Sequence, residues 1–253
     1  MAGKKKLVSS RERAQGLILA GKVRLGDEVA DKPGRKVSED ISVTILEDLH
    51  PYVSRGGLKL EHALKVFGVS PEGKTAADIG ASTGGFTDCL LQQGAKKVFA
   101  VDVGYGQLDW KLRQDARVVI LERKNVRTLT VADFGESVDL AVIDVSFISL
   151  KLVIPPILKM LNPAGDLIAL VKPQFEVGKD EVENKGIIKD PAKHLKVLLA
   201  VHAFVNEQKW VMRALAVSPI FGQKGNKEFL IHCVSKDRGE SVGEQEIQKI
   251  ALS

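Results

Sequence analysis

Asp78-Ile79-Gly80-Ala81-Ser82-Thr83-Gly84-Gly85-Phe86-Thr87 lies between two patterned segments. A strand-like run at 74–79 leads into it, and a helical pattern at 86–93 follows. A second strand is predicted at 97–101 and ends in Asp102. A glycine-rich turn between strand and helix, with an acid about 20 residues further on, is how a doubly wound sheet binds a ribose-bearing cofactor. The small residues let the backbone approach the ligand, and the acid accepts hydrogen bonds from ribose hydroxyls.

The spacing within this turn discriminates between cofactors. Its pattern is Asp-x-Gly-x-x-x-Gly-Gly, in which Ser82 stands where the second glycine of a dinucleotide-binding turn would be. This disfavours NAD, which is bound through its pyrophosphate. It favours S-adenosylmethionine, which has no phosphate and whose amino acid end needs polar partners. A tight structural turn without a ligand is the alternative interpretation.

Composition narrows the class of protein. A chain of 253 residues with 44% hydrophobic and 27% charged residues is typical of one or two soluble globular domains. No apolar run is long enough to span a bilayer, and no apolar signal core follows the basic start, so we expect a cytoplasmic protein. Cys89 and Cys233 are predicted to be buried, reduced thiols. The five histidines have no metal-site spacing, so no metal is expected.

Positive charge is concentrated at the start of the chain. Residues 1–36 contain ten Lys and Arg against four acids, a net charge of +6, whereas the whole chain has +5. The remainder is therefore at −1. A localised basic segment is the footprint of a nucleic-acid contact, because polyanion binding is driven by counterion release. A solvated tail on a small domain is the alternative interpretation.

The first 47 residues have the pattern of a small α+β unit. Residues 10–20 predict an amphipathic helix that ends at Gly21. Short alternating runs on either side of Gly26-Asp27 predict a hairpin, and 41–46 predicts a further strand. The segment 48–58, with Pro51 and Gly56-Gly57, is predicted to be a linker.

A helix with Leu60, Ala63, Leu64 and Phe67 on its apolar face is predicted after the linker, and from Thr75 onward strands and helices alternate. Such alternation implies a parallel sheet covered on both faces. The last two strand-like runs are joined by a short glycine-rich turn, which predicts a hairpin at one edge of the sheet. Strands are predicted at 75–79, 97–101, 117–121, 138–143, 166–171, 210–217 and 228–235, and helices near 86–93, 108–113, 149–160, 191–207 and from about 243.

Polar residues follow four of the predicted parallel strands. They are Asp102, Asn125, Asp144 and Lys172. Ligand sites in open parallel sheets lie at the carboxyl ends of the strands, so these side chains are predicted to share a cleft. An acid and a lysine closing apolar strands would be costly if merely buried. The alternatives are a helix cap for Asp144 and a plain surface lysine for Lys172.

The N-terminal pattern resembles the S4 RNA-binding domain. The residues that carry the resemblance are 10–23, Lys32-Pro33-Gly34 and Val37. The resemblance implies an RNA-facing edge. S4 domains usually begin with a further helix, so we expect a domain of residues 1–47 that is shortened at its start. The residues expected at the RNA-facing edge are Arg11, Arg13, Gln15 and Lys22.

The rest of the chain resembles FtsJ-type RNA ribose methyltransferases, and the two parts together resemble the TlyA/haemolysin A family. The matches occur in the family's order along nearly the entire chain. The resemblance implies an α/β fold with a Rossmann-like, seven-stranded methyltransferase sheet at 59–253, and an RNA contact at Arg55. The matching segments are 52–60, 78–87, 101–104, 144–148, 170–176 and 225–229.

The resemblance also assigns a catalytic tetrad, Lys59, Asp144, Lys172 and Glu228. The methyl donor is a sulfonium and a good leaving group, whereas the acceptor 2′-hydroxyl of ribose is very weakly acidic. Lys172 is expected to take or polarise that proton, oriented by Asp144, while Lys59 and Glu228 position the ribose.

The same resemblance assigns the cofactor site. The turn residues are expected around the methionine part of S-adenosylmethionine, with Asp102 at the ribose and Asn125 near the adenine. The full set expected to bind the cofactor is Asp78, Gly80, Ser82, Gly84, Gly85, Phe86, Asp102, Asn125 and Asp144.

The sequence therefore predicts an S-adenosylmethionine-dependent 2′-O-methyltransferase acting on ribosomal RNA in an assembled subunit. One alternative is a ribosome-associated RNA-binding factor without catalysis, which the intact tetrad disfavours. Another is a membrane-active haemolysin, which the lack of a spanning or strongly amphipathic membrane segment disfavours. An NAD-linked oxidoreductase is disfavoured by Ser82.

Overall fold

The structure, a computed structural model, describes residues 7, 14–15, 17–18, 21–30, 32–38, 40–46, 50–178, 186–222 and 225–253. The chain divides into two units, Met1–His50 and Pro51–Ser253.

The first unit contains a small antiparallel sheet. Its strands are β1 (Val23–Leu25), β2 (Glu28–Val29) and β3 (Val43–Ile45), in the order β2-β1-β3. Gly26, at φ 61°, supplies the left-handed conformation that the tight turn between β1 and β2 needs. Ahead of the sheet, Ala14, Gln15, Leu17 and Ile18 are helical. The described part of this unit therefore has the helix-then-strands order predicted from the sequence.

The second unit is built on a seven-stranded sheet. Its order is β6-β5-β4-β7-β8-β10-β9. The five strands from β4 to β8 pair in parallel, whereas β10 pairs antiparallel with both β8 and β9. The predicted α/β class, the seven-stranded sheet and its edge hairpin are confirmed. The strands are β4 (Thr75–Ile79), β5 (Lys97–Val101), β6 (Val118–Leu121), β7 (Val138–Ile143), β8 (Leu161–Val171), β9 (Trp210–Val217) and β10 (Phe229–Ser235).

Helices cover both faces of this sheet. Successive residues of β7 alternate between two cores: Leu140 and Val142 belong to one, Ala141 and Ile143 to the other. This is why the parallel strands are apolar throughout rather than alternating. The helices are α1 (Gly56–Phe67), α2 (Gly85–Gln92), α3 (Trp110–Arg113), α4 (Val131–Phe134), α5 (Leu150–Leu158), α6 (Pro173–Glu176), α7 (Pro191–Glu207) and α8 (Glu244–Leu252).

The segment predicted as a linker, 48–58, differs in the structure from Pro51 onward. These residues belong to the second unit: Tyr52 is buried, and the Val53 N–H donates to Asp88 Oδ2 at 2.8 Å. Helix α1 already begins at Gly56. The glycines have a packing role here, since a Cβ at Gly57 would overlap the Tyr52 ring.

Both cysteines are free and buried, as predicted. Burial raises the pKa of the Cys89 and Cys233 thiols to about 12, which leaves them protonated at neutral pH.

Candidate active site

The carboxyl ends of the parallel strands surround a cavity of about 940 Å³. This volume is at the upper end of the range for small-molecule sites, so the cavity has room for a cofactor and part of a second molecule. The predicted site residues that line it are Gly80, Ser82, Asp102, Asn125 and Asp144. Much of the remaining wall is apolar and comes from Val145, Phe147, Ile148, Leu152, Phe175 and Val177.

The glycine-rich turn forms one side of the cavity, since Gly80 and Ser82 line it. The backbone of this turn also comes unusually close to the end of β7. Gly80 has φ 87°, and a Cβ there would lie 2.5 Å from the Asp144 carbonyl oxygen. Ser82 is also left-handed, at φ 49°, and Gly84 has φ 95° with Leu108 and Leu112 packed against it. Such conformations are costly for most residues, so the turn is a shaped element rather than a generic loop.

Asp102 closes the turn from the neighbouring strand. Its Oδ2 accepts the Ser82 N–H at 2.8 Å, and its Oδ1 accepts the Gly104 N–H at 2.7 Å. Each carboxylate oxygen has a further lone pair. Asp102 can therefore accept hydroxyl hydrogen bonds from a ligand without giving up the contacts that hold it.

Asp78 lies beneath the turn and is fully buried. Its Oδ2 accepts from the Thr87 N–H at 2.9 Å and from Thr87 Oγ1 at 2.7 Å, while Oδ1 has no hydrogen-bond partner among the described residues. Burial raises the pKa of Asp78 to about 7, opposed by the Thr87 hydrogen bonds and assisted by the negative charges of Asp144 and Asp102. The carboxyl group is therefore poised to change charge near neutral pH.

Asp144 and Lys172 face each other at the ends of β7 and β8. Lys172 Nζ lies 2.6 Å from Asp144 Oδ1, in an ion pair whose alignment is poor for a hydrogen bond. The same ammonium group donates to Ser146 Oγ at 2.9 Å. Lys172 does not itself line the cavity, but its two partners, Asp144 and Ser146, do. The alternative interpretation of Asp144 as a helix cap does not hold, because Ser149 caps α5 by accepting from the Lys151 N–H.

Lys59 and Glu228 form a second ion pair, more deeply buried than the first. Lys59 Nζ donates to Glu228 Oε2 at 2.6 Å, and the two side chains are 11% and 2% exposed. Phe229 pairs with Val171 in the antiparallel ladder. The adjoining residues, Glu228 and Lys172, are therefore neighbours across β10 and β8, which brings the two ion pairs together.

Four residues predicted to bind cofactor do not line this cavity: Asp78, which is buried beneath the turn, and Gly84, Gly85 and Phe86. Gly84 precedes α2, and Gly85 and Phe86 form its first turn. A Cβ at Gly85 would overlap Ser54 Oγ, and Phe86 is buried in the core between α1 and the sheet. Their positions fix where helix α2 begins. Asn125 does line the cavity, but its Oδ1 already accepts from the Arg127 N–H and, at 3.3 Å, from Arg127 Nε.

Other residues that line the cavity were not among the predicted site residues, although Phe147 and Gln174 belong to segments predicted to follow the fourth and fifth strands. Phe147 is 88% exposed at φ 64°, and its ring centroid lies 5.0 Å from that of Phe175. An exposed phenylalanine in a left-handed conformation is strained, which is typical of functional turns. Gln107 and Gln174 also line the cavity. The position of Phe147 within the quoted segment 144–148 was the available signal, since that segment follows a buried strand.

The residues predicted to contact RNA are only partly described. Arg11 and Arg13 lie outside the described residues. Gln15 is exposed, Lys22 is half-buried, and Arg55 is exposed immediately before α1. Their contact with RNA stays a prediction.

Family comparisons divide the chain in a similar way. A family model described as FtsJ-like methyltransferase matches residues 52–234, and a model described as S4 domain matches residues 4–40. The first match covers more than half of the chain and includes every element that lines the cavity.

Named relatives align over most of the chain. The chain is 46% identical over 226 residues to the 16S/23S rRNA (cytidine-2'-O)-methyltransferase TlyA of Mycobacterium tuberculosis, covering 89% of this chain and 84% of the relative. It is 41% identical over 226 residues to Hemolysin A of Brachyspira hyodysenteriae, covering 89% and 94%. Among solved structures, a Streptococcus thermophilus protein that carries the name hemolysin superposes with a TM-score of 0.81 at 45% identity, covering 97% of this chain and 90% of that one.

Two of these relatives carry a hemolysin name, which bears on the membrane alternative. Within the part of the chain that the structure describes, no helix has both the length and the apolar character needed to cross a membrane.

Proposed function

The chain belongs to the FtsJ-like methyltransferase family, and we propose that it transfers a methyl group from S-adenosylmethionine to a ribose 2′-hydroxyl of ribosomal RNA. One observation carries the proposal. Asp144, the ion-pair partner of Lys172, lines the cavity together with Gly80 and Asp102, and the β8–β10 ladder places Glu228, the partner of Lys59, next to Lys172. Two lysines and two acids form a set with no net charge, beside a site suited to a ribose-bearing cofactor.

The residues around the turn fit S-adenosylmethionine. Gly80 lets the turn pack against the Asp144 backbone at the cavity wall, and Asp102 keeps free lone pairs for ribose hydroxyls. Ser82, Asn125 and Asp144 would complete the polar contacts, while the apolar wall suits an adenine ring. When bound, the cofactor supplies a methyl group on a positively charged sulfur.

The protein's own contribution concerns the acceptor oxygen. The Lys172 ammonium group, held 2.6 Å from Asp144 Oδ1, polarises the 2′-hydroxyl, or, after releasing one of its own protons to solvent, takes the hydroxyl proton as a neutral amine. Asp144 orients that ammonium group, and its negative charge faces the cavity in which the cationic donor binds. Alignment of the acceptor with the donor methyl group supplies much of the rate enhancement.

Lys59 and Glu228 act on position rather than on the proton. Their buried pair cannot move apart without leaving a desolvated charge, so it forms a fixed support beside Lys172. Lys59 on α1 and Glu228 just before β10 thereby link the helix to the sheet next to the end of β8. The assignment of these roles rests on the family's tetrad.

Two features of the N-terminal segment favour ribosomal RNA as the substrate. The S4 domain match and the net charge of +6 in residues 1–36 suit a polyanion. An RNA-binding module in the same chain as a catalytic unit suits a large, structured substrate, so the proposed substrate is an assembled ribosomal subunit. The name of the Mycobacterium tuberculosis relative favours a cytidine as the target nucleotide. A protein that methylates ribosomal subunits is expected to act in the cytoplasm.

The test is methyl transfer from radiolabelled S-adenosylmethionine to small and large ribosomal subunits that lack the modification, followed by nuclease mapping. Label on the 2′-oxygen of one or a few nucleotides is the expected result and identifies the subunit. Label on a base would overturn the ribose assignment. Cofactor binding without label on either subunit would favour the RNA-binding factor without catalysis.

A further inference from the structure

We propose that Ser146 is a positioning residue that fixes the direction of the Lys172 ammonium group, an inference that rests on the proposed function. Ser146 is exposed, lines the cavity and lies two residues beyond Asp144 on the turn after β7. The family's tetrad gives it no role. Its hydroxyl is nevertheless a second direct contact of Lys172 Nζ.

The ammonium group of Lys172 has one ion-pair partner and one hydrogen-bond acceptor. Asp144 Oδ1 lies 2.6 Å from Nζ with poor hydrogen-bond alignment, so it fixes the position of the charge rather than its direction. The hydrogen bond to Ser146 Oγ at 2.9 Å is directional and orients one N–H bond. That bond restricts the directions that the other two N–H bonds take about the Cε–Nζ axis. Because Asp144 and Ser146 both line the cavity, the ammonium group is held at its wall, where a ribose oxygen can meet it.

The turn that carries Asp144 and Ser146 is held in place. Phe147, next to Ser146, has φ 64°, a conformation that persists only when its surroundings enforce it. On the other side, the Asp144 N–H donates to the Ile79 carbonyl at 3.0 Å, and the Gly80 backbone packs closely against the Asp144 carbonyl. Ser146 therefore presents its hydroxyl from a fixed backbone.

A hydroxyl suits this position better than a second carboxylate. Asp144 already neutralises Lys172, so a further negative charge would leave the four-residue set with a net charge of −1. A hydroxyl adds direction without adding charge. Ser149 on the same turn cannot replace it, since its Oγ donates to Glu176 Oε2 at 2.6 Å.

The experiment compares the full-length Ser146→Ala, Ser146→Thr, Lys172→Ala and Ser70→Ala variants. The readouts are kcat and KM for subunit methylation, together with S-adenosylmethionine affinity by calorimetry. Ser70 is a matched control, because it is also exposed and accepts one hydrogen bond, 3.2 Å from the Glu72 N–H, but follows α1, just ahead of the amino end of β4.

We expect Ser146→Ala to lower kcat about tenfold, the effect of losing one hydrogen bond to a charged group, with KM and cofactor affinity unchanged. Ser146→Thr keeps the oxygen and should restore most of the rate, and Ser70→Ala should match the wild type. An unchanged kcat for Ser146→Ala, or a loss that threonine does not restore, would overturn the inference while leaving the proposed function intact. Activity that persists in Lys172→Ala would instead overturn the catalytic assignment itself.

Discussion

Gly80 is the point at which the glycine-rich turn packs against the end of β7, where Asp144 lies. A single substitution there therefore tests the arrangement of the site. A Cβ at this position would lie 2.5 Å from the Asp144 carbonyl oxygen, and the backbone has φ 87°. We expect Gly80→Ala to displace Asp144 or the turn, to weaken S-adenosylmethionine binding at least tenfold and to destabilise the fold by about 1–3 kcal/mol. Calorimetric titration and thermal unfolding measure the two effects.

Gly73 provides the matched control at the other end of β4. It also has a positive φ, 69°, but a Cβ there would have nothing within 4 Å. Gly73→Ala should therefore show the conformational cost alone, about 1 kcal/mol, with unchanged cofactor affinity. If both variants bind the cofactor equally well, the close approach to Asp144 is irrelevant to binding.

Asp78 makes the stability of the protein depend on pH in a direction opposite to most aspartates. Its pKa is raised from 3.8 to about 7, so between these values the folded state binds more protons than the unfolded chain. The free energy of unfolding therefore falls as the pH rises from about 4 to 7, by up to roughly 4 kcal/mol. An asparagine at this position cannot ionise but can still accept hydrogen bonds from Thr87. Asp78→Asn should therefore remove this contribution to the pH-dependent decrease in the free energy of unfolding.

The measurement is chemical unfolding of both proteins from pH 5 to pH 8 without cofactor. The free energy of unfolding of Asp78→Asn should exceed that of the wild type by an amount that grows with pH across that window. The two charged groups that face Asp78, namely Asp144 and Asp102, are present in both proteins and do not account for the difference. Parallel curves for the two proteins would mean that Asp78 does not titrate in this range.

Individual site residues were predictable to different degrees. Asp102 and Asp144 follow apolar strands, and the topology of a parallel sheet brings such residues to one edge. The contact between Ser146 and Lys172 was not predictable, because it depends on the conformation of a turn that Phe147 completes at a positive φ. Gly84, Gly85 and Phe86 were expected at the cofactor, although motif spacing alone does not distinguish lining the cavity from packing beneath it.

At the scale of whole elements, a cluster of largely buried charged side chains connects β8, β10 and the residue before β4. It lies towards the end of the sheet opposite the cavity. Asp166 of β8 accepts from His232 of β10 at 3.0 Å and from Lys74, just before β4, at 3.1 Å, with Arg238 Nη2 at 3.4 Å. Although burial raises the pKa of Asp166, hydrogen bonds from His232 and Lys74 hold it at about 2. One carboxylate thus has three partners from three segments.

We expect Asp166→Ala to destabilise the protein by about 2–4 kcal/mol at pH 7, because it leaves partly buried cations without their partner. Its contribution is present above about pH 4 and is lost as the pH falls towards 2, since the folded pKa is the depressed one. Urea unfolding is the measurement. Asp115→Ala, which breaks a more exposed pair with Arg117, should cost less than 1 kcal/mol. Equal losses of stability in the two variants would mean that the Asp166 cluster contributes no more than an exposed ion pair.

Elements with a continuous apolar pattern were predicted almost to the residue, because burial on both faces leaves a clear signal. The start of β8 was not: Asn162-Pro163-Ala164-Gly165 has turn composition, but the strand runs from Leu161 with a register shift between Val138 and Leu140. Gly56-Gly57 was interpreted as part of a linker for a similar reason. Glycine marks a hinge or a close contact equally well, and only the packed Tyr52 ring distinguishes them.

For the whole molecule, the uneven charge predicts how substrate binding responds to salt. If residues 1–36, with their net charge of +6, hold the RNA, log K for subunit binding should fall linearly with log salt concentration. Arg11→Gln and Arg13→Gln should each reduce the steepness of that line by roughly 0.7–0.9, the value of one phosphate contact. Binding measured across a salt series gives the slope.

The control for that series is Lys249→Gln in the last helix, a lysine that no part of the proposal assigns to RNA. It changes the net charge of the protein by the same amount as either arginine substitution. A slope reduced equally by all three variants would indicate a general charge effect instead of specific phosphate contacts in the first unit.

The position of β10 between β8 and β9 also determines when the site can form during synthesis. Strands β4 to β8 can pair while the chain is still emerging, but β9 is made before β10, the only described strand with which it pairs. Glu228, just before β10, is also the last of the four proposed catalytic residues to be made. A nascent chain therefore has three of them on an incomplete sheet. We therefore expect a protein proposed to modify ribosomes to be inactive on the ribosome that is translating it, until its final strands are released.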